Sequence, residues 1–250
     1  MWSDIKSSYG VGFRFALAFP LIFLIPPVVE FVQHIIEWRI GMFEGLGQAE
    51  ALATHPARTG FGYVKFAALL IVGLWLSRFI HSGGDRRVTG AVGLRTITAF
   101  IPVIIVFLAL DFGQGALKPW TSADALGQAG AALAGIGLFL LGSILQVLLA
   151  GWRVGVALGD RRMRFLASIR KSLPVLFPGM ALYFVVFLPL LVLHELMNLG
   201  MILSGEGPAM WALFVADSLF VGLIAAALWN VFHAIYRRAL EKAGEPPLAL

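Results

Sequence analysis

The chain has 250 residues, 59% of them hydrophobic and 13% charged, with a formal net charge of +5 and no cysteine. A soluble domain carries about 25% charged residues, so this composition, with a mean hydropathy of +0.87, excludes a water-soluble globule. The missing cysteines exclude disulfides, thiolate metal sites and cysteine nucleophiles.

A bilayer-crossing helix needs about 20 mostly apolar residues. Six such stretches fill the chain, at about 11–38, 61–80, 91–110, 125–152, 172–199 and 208–236. The expected fold class is therefore all-α: a polytopic transmembrane helix bundle of six spans, with the first and fifth kinked, forming a single integral membrane domain over 1–250. In lipid each backbone N–H must find its partner within its own helix.

Residues 1–10 are amphipathic, with Trp2 and Tyr9 suited to an interface. The first span holds Pro20, Pro26 and Pro27, and the tandem proline removes two donors, predicting a kink or an interruption of the helix near Ile25. Ala51-Leu52-Ala53 resembles a signal-cleavage site, but the apolar run is longer than a signal core, so the first span is expected to stay uncleaved. After the second span, Gly83-Gly84-Asp85-Arg86-Arg87 predicts a tight basic turn. The third span contains Pro102. The uncharged fourth offers Gly130, Ala134, Gly135 and Gly137 for close helix contact. A basic stretch from Arg153 to Lys171 follows, with Met163, Leu166 and Ile169 at a helical spacing that suits the membrane plane. The fifth span carries Pro174, Pro178 and Pro189. Leu70-Ile71-Val72-Gly73-Leu74 in the second span is echoed by Leu219-Phe220-Val221-Gly222-Leu223 in the sixth.

Fifteen of the nineteen Lys and Arg residues flank the spans on one side, leaving Arg39, Arg58, Lys65 and Lys118 on the other. Lys and Arg collect in cytoplasmic loops. The expected location is the inner membrane of a bacterium, with both termini cytoplasmic. Arg86, Arg87, Arg161, Arg162, Arg164, Arg170 and Lys171 then form a surface for anionic lipid headgroups or a membrane-protein partner subunit, and no nucleic acid partner is expected. The stretch from Asp160 to Gly179 resembles that of several bacterial six-helix membrane families, and no function follows from it.

An ionisable side chain inside the bilayer costs about 2.5–3.5 kcal/mol, so each one needs a reason. Glu30, His34 and Glu37, at i, i+4 and i+7, share one helical face. Asp111, His194, Glu195 and Asp217 fall toward the same outer leaflet. These seven form a candidate polar cluster for protons, a polar substrate or a metal, or else pair structurally with Lys65 or Arg39. No cofactor is predicted, although carboxylate with imidazole suits a divalent metal. His194-Glu195 lacks the second histidine of a zincin, Gly83-Gly84-Asp85 lacks the Lys-Ser/Thr of a phosphate loop, and no nucleophile elbow or dinucleotide fingerprint is present. With those routes to catalysis missing, the first expectation is a non-catalytic accessory, assembly or lipid-organising component of a membrane complex. The alternatives are a small transporter or channel built on the cluster, and a membrane-embedded metal-dependent enzyme.

Overall fold

Backbone amides that must be satisfied without water dictate the secondary structure, and among the described residues every regular element is helical. The computed structural model describes residues 1–246 and 248; the side chains of Lys118 and Pro119 lie outside the described set, as do residues 247, 249 and 250. In chain order the helices are α1 (Trp2–Ala18), α2 (Pro20–Phe23), α3 (Ile25–Arg39), α4 (Leu46–Ala51), α5 (Pro56–His81), α6 (Arg86–Gly90), α7 (Leu94–Leu117), α8 (Ala123–Leu148), α9 (Ala150–Leu158), α10 (Phe165–Ser172), α11 (Leu176–Ser204) and α12 (Pro208–Lys242). Short 3-10 turns, Lys118–Thr121 and Leu173–Val175, precede α8 and α11. Six stretches are long and apolar enough to cross a membrane: Pro20–Arg39, Pro56–His81, Leu94–Leu117, Ala123–Leu158, Phe165–Ser204 and Pro208–Lys242. The chain is an all-α, multi-pass membrane protein.

Proline acts by position. The first helix stops at Phe19 (φ −137°, ψ 64°), and Pro20 opens α2. Pro26 and Pro27 lie in the first turn of α3, where the N–H groups they lack would have had no helical acceptor. Pro102 and Pro189 lie inside the continuous helices α7 and α11.

The chain divides into two compact units, Met1–Ala91 with Phe184–Val231, and Val92–Tyr183 with Phe232–Leu250. In the first unit α3 packs along α5. The two echoed glycines do the same work there. A Cβ at Gly73 would overlap the indole of Trp229, and one at Gly222 would press on Phe23 and Pro27. The close approach at Gly73 lets Trp229 Nε1 donate to the Leu69 carbonyl at 3.0 Å. Asn230 donates to Ser7 and Ser8 at 2.9 and 2.8 Å, tying α12 to α1. Asp85 caps α6 by accepting from the Arg87 amide, while Arg78 donates to the Val88 carbonyl and Arg86 to that of Leu17. Arg87 is exposed.

In the second unit the Arg153 side chain is 2% exposed, and its guanidinium lies between the rings of Phe107 and Phe232 at 4.1 and 3.8 Å. Cation–π attraction and a 2.6 Å bond to Gln146 Oε1 offset its desolvation. Met163, expected on an in-plane face with Leu166 and Ile169, instead fills the space left by Gly151 and Gly155. Ser168 bridges the break at Leu149, donating to the Leu148 carbonyl and accepting from the Trp152 amide. Helix α8 bends at Gly127 (φ 70°, ψ 167°). A Cβ at Gly135 or Gly137 would meet nothing within 4 Å among the described residues.

Part of the basic elbow is used internally. Asp160 accepts from Arg162 Nε and Nη2, both at 2.8 Å, and from the Tyr236 hydroxyl at 2.7 Å. Arg162 also donates to the Pro246 carbonyl, and Lys171 pairs with Glu245 at 2.6 Å. Arg161, Arg164 and Arg170 remain exposed. Burial alone would raise the Asp160 carboxyl, but the bonds from Arg162 and Tyr236 outweigh it and hold the group below its ordinary value of 3.8. A depressed carboxylate stabilises the fold above its unfolded value, and that contribution is lost as pH falls through the folded value. Asp160→Asn is therefore expected to cost about 2 kcal/mol at pH 7, measured by thermal unfolding in detergent. The gap between the two proteins should close as pH falls below the ordinary aspartate value.

Candidate functional site

Helix α3 presents Glu30, Gln33, His34 and Glu37 on one face, and all four are buried, from 1% to 5% exposed. Their spacing of three and four residues stacks them along that face. Each carboxylate then needs a partner, because an unpaired charge at this burial would neutralise itself or unfold its surroundings. Helix α5 supplies two. Lys65 Nζ lies 2.9 Å from Glu30 Oε2 and donates to Oε1 at 3.2 Å, and Arg58 Nε lies 2.9 Å from Glu37 Oε1. Gln33 Nε2 donates to the same Glu37 oxygen at 2.9 Å.

His34 is the hub. Its Nδ1 is 3.3 Å from Glu37 Oε2, and its Nε2 is 3.0 Å from Asp217 Oδ2 on α12 and 3.7 Å from Glu30 Oε1. The ring stacks on Phe214, with centroids 5.0 Å apart. Below it lies an apolar floor of Phe43, Met201, Met210 and Phe214. Asp217, with no exposure, meets His194 Nδ1 of α11 through its other oxygen at 2.7 Å. Asn198 Nδ2 donates to the His194 carbonyl at 3.0 Å and approaches its Nε2 at 3.5 Å. A protonated Nδ1 on His194 satisfies both contacts of that ring. Both His34 nitrogens face carboxylate oxygens, so protons on both satisfy both bonds. The charges then cancel: three carboxylates against Arg58, Lys65 and His34.

These groups border a cavity of ≈ 270 Å³ lined by Glu30, Gln33, Glu37, Arg58, Lys65, His194, Glu195 and Asn198, with Met42, Phe43, Leu199 and Ile202 as apolar walls. One water needs roughly 10–15 Å³ by such a measure, and small-molecule pockets begin near 300 Å³. The space therefore suits a small polar solute or an ion with its water. Glu30, His34 and Asp217 each offer one ligand atom, all within 4.8 Å of one another.

Of the seven residues singled out from sequence, Glu30, His34, Glu37, His194 and Asp217 meet in one bonded network. Glu195 lines the cavity from an exposed position. Asp111 lies half-buried on α7 in the second unit and is not among the lining residues. Lys65 pairs as the structural alternative expected, whereas Arg39 is exposed. Arg58 and Gln33 were missed. Arg58 carried a signal, because it precedes Lys65 by the seven residues that also separate Glu30 from Glu37. Gln33, uncharged, carried none.

No protein family, curated protein or solved structure matches the chain. The ion pairs can be tested directly. Lys65→Met should cost about 2 kcal/mol, below the roughly 3–5 kcal/mol of a fully buried pair because Lys65 is 23% exposed. Adding Glu30→Gln should restore most of the lost unfolding temperature in detergent. Additive losses would mean that the two side chains do not interact.

Proposed function

We propose that the protein is a small membrane carrier that binds a polar or ionic solute in the cavity of its first unit. One observation carries this reading: the buried carboxylates of Glu30 and Glu37, with Gln33 and the part-buried His194, border open volume instead of packed side chains. Charges kept only to hold helices together gain nothing from a cavity, since a low dielectric strengthens their pairing. Ionisable groups within spans mark solute or ion pathways far more often than ornament. The break at Phe19, shortly before the polar face of α3, belongs with the interrupted helices that line transporter sites. With the basic loops inside, the cavity lies toward the outer face of a bacterial inner membrane.

The chain has no cysteine, so one introduced thiol reports alone. Asn198→Cys should react with a membrane-impermeant thiosulfonate in right-side-out vesicles and much more slowly in inverted ones. Leu133→Cys, on an exposed apolar position of α8 (71% exposed), should stay unmodified in lipid. Equal protection of both thiols would mean a dry, structural network and would end the carrier reading.

A second reading concerns the second unit. In the most apolar windows of Leu94–Leu117 and Ala123–Leu158 only 17% of residues are buried, against 44% in those of Pro56–His81 and Pro208–Lys242. That uncovered surface favours a component whose helices dock onto a partner membrane protein. Purification in mild detergent should then yield a stable complex heavier than one chain, and a monomer by light scattering counts against it.

A further inference from the structure

We propose that Glu30, His34 and Asp217 form a site for one divalent first-row transition ion, of the zinc or manganese class, with Glu30 joining it to the cavity. The inference rests on reading the cavity as a ligand site and names what it holds. Three donors bound at about 2.0–2.2 Å to one such ion lie roughly 2.9–3.6 Å from each other. His34 Nε2 is 3.0 Å from Asp217 Oδ2 and 3.7 Å from Glu30 Oε1, so small side-chain movements complete the set. The ion takes the place of the Nε2 proton, which is released to water.

The supporting groups are those a metal site requires. An imidazole ligand is held and made more basic when its other N–H meets a carboxylate. His34 Nδ1 faces Glu37, which Gln33 and Arg58 fix in turn. Asp217 spends its second oxygen on His194, and Glu30 is steadied by Lys65. An independent feature points to a cation. Gln33 is 5% exposed and lines the cavity, yet its Oε1 is buried without a hydrogen-bond partner. Glu30 Oε2 already has its cation in Lys65 Nζ at 2.9 Å, so the unpartnered acceptor is Gln33 Oε1. On the cavity lining, such an acceptor would be satisfied by a water bound to a cation. The nitrogen and oxygen donors, without sulfur, suit zinc, manganese, iron(II) or cobalt and disfavour copper(I). Three protein ligands leave at least one coordination position for water or a solute, and Glu30 is the ligand that borders the cavity.

The test uses the full chain purified in detergent, stripped with a chelator and dialysed against Zn²⁺ or Mn²⁺. One equivalent per chain is expected, with X-ray absorption of the zinc form showing one imidazole and otherwise oxygen neighbours. His34→Gln and Asp217→Asn, checked for helix content and monodispersity, should lose the ion. Glu37→Gln should weaken binding about 10–100-fold by releasing the ring, and Glu241→Gln, far along α12, should leave it unchanged. No ion bound to the native chain, two or more imidazoles around zinc, or undiminished binding in folded His34→Gln would overturn the proposal. A reactive Asn198→Cys thiol in a chain that binds no ion sinks the metal site alone and leaves the carrier reading standing. The spectroscopic arm needs no variant, so misfolding cannot shelter the idea.

Discussion

Two ion pairs between α3 and α5 set the geometry on which the site depends. Glu30 pairs with Lys65, and Glu37 with Arg58. The two acids are seven residues apart and so are the two bases, with the order reversed, as antiparallel helices demand. Seven residues are close to two turns, so both rungs fall on one side of each helix. A single rung would fix a distance. Two rungs fix register and rotation together, and they hold between them His34, the imidazole of α3 that reaches Asp217. A slip by one residue would turn α3 by about 100° and leave buried carboxylates facing apolar side chains, at several kcal/mol each. In this sense the ladder acts more as a device for selecting one packing than as a source of net stability.

How much of this could be read from the chain depends on the kind of signal. Spans are legible because lipid imposes a length and a composition, and each of the six expected stretches overlaps one of the six long apolar helical segments, although the first also crosses the break at Phe19. The polar face of α3 is legible because Glu30, His34 and Glu37 lie at helical spacing, and cost alone makes each of them notable. Asp111 looks equivalent by that criterion, but depth along a span says nothing about which neighbour a side chain faces. Its helix belongs to another compact unit. The matched spacing of Arg58 and Lys65 was available in the sequence. Lys65 falls inside the expected second span, whereas Arg58 falls in the loop before it, so only one of the two stands out as a partner for a buried acid. The tandem proline marks a boundary where one was expected, since α2 ends at Phe23 and α3 begins at Ile25. Pro26 and Pro27 begin a helix, where their missing donors are harmless, and only the caps of α2 and α3 reveal that.

Small residues show a different limit. Gly73 and Gly222 occupy equivalent places in an echoed pentapeptide, and each gives room to an aromatic ring of a neighbouring helix. Gly135 and Gly137 have the same local appearance and meet no side chain of this chain. The motif states that close approach is possible, while the identity of what approaches is a tertiary fact. The basic elbow repeats the lesson with charge. Arg162 and Lys171 look like free surface cations beside Arg161, Arg164 and Arg170, yet Asp160 and Glu245 already hold them.

The charge balance of the site connects its two readings. Glu30, Glu37 and Asp217 against Lys65 and Arg58 leave one negative charge within apolar surroundings, and the network needs one positive charge to close. A second ring proton on His34 supplies it, and with one proton on each nitrogen the bonds to Glu37 and Asp217 are complete. A divalent ion in place of that proton supplies one positive charge too many, which a hydroxide or an anionic group entering from the cavity would cancel. Lys65 and Arg58 already border that space, so such an anion would meet cations on two sides. The same five fixed charges that make α3 and α5 pack in one way also set the sign of what the cavity can accept with and without an ion. Structure and selectivity therefore rest on one balance, and neither can be altered at Glu30 or Glu37 without changing the other.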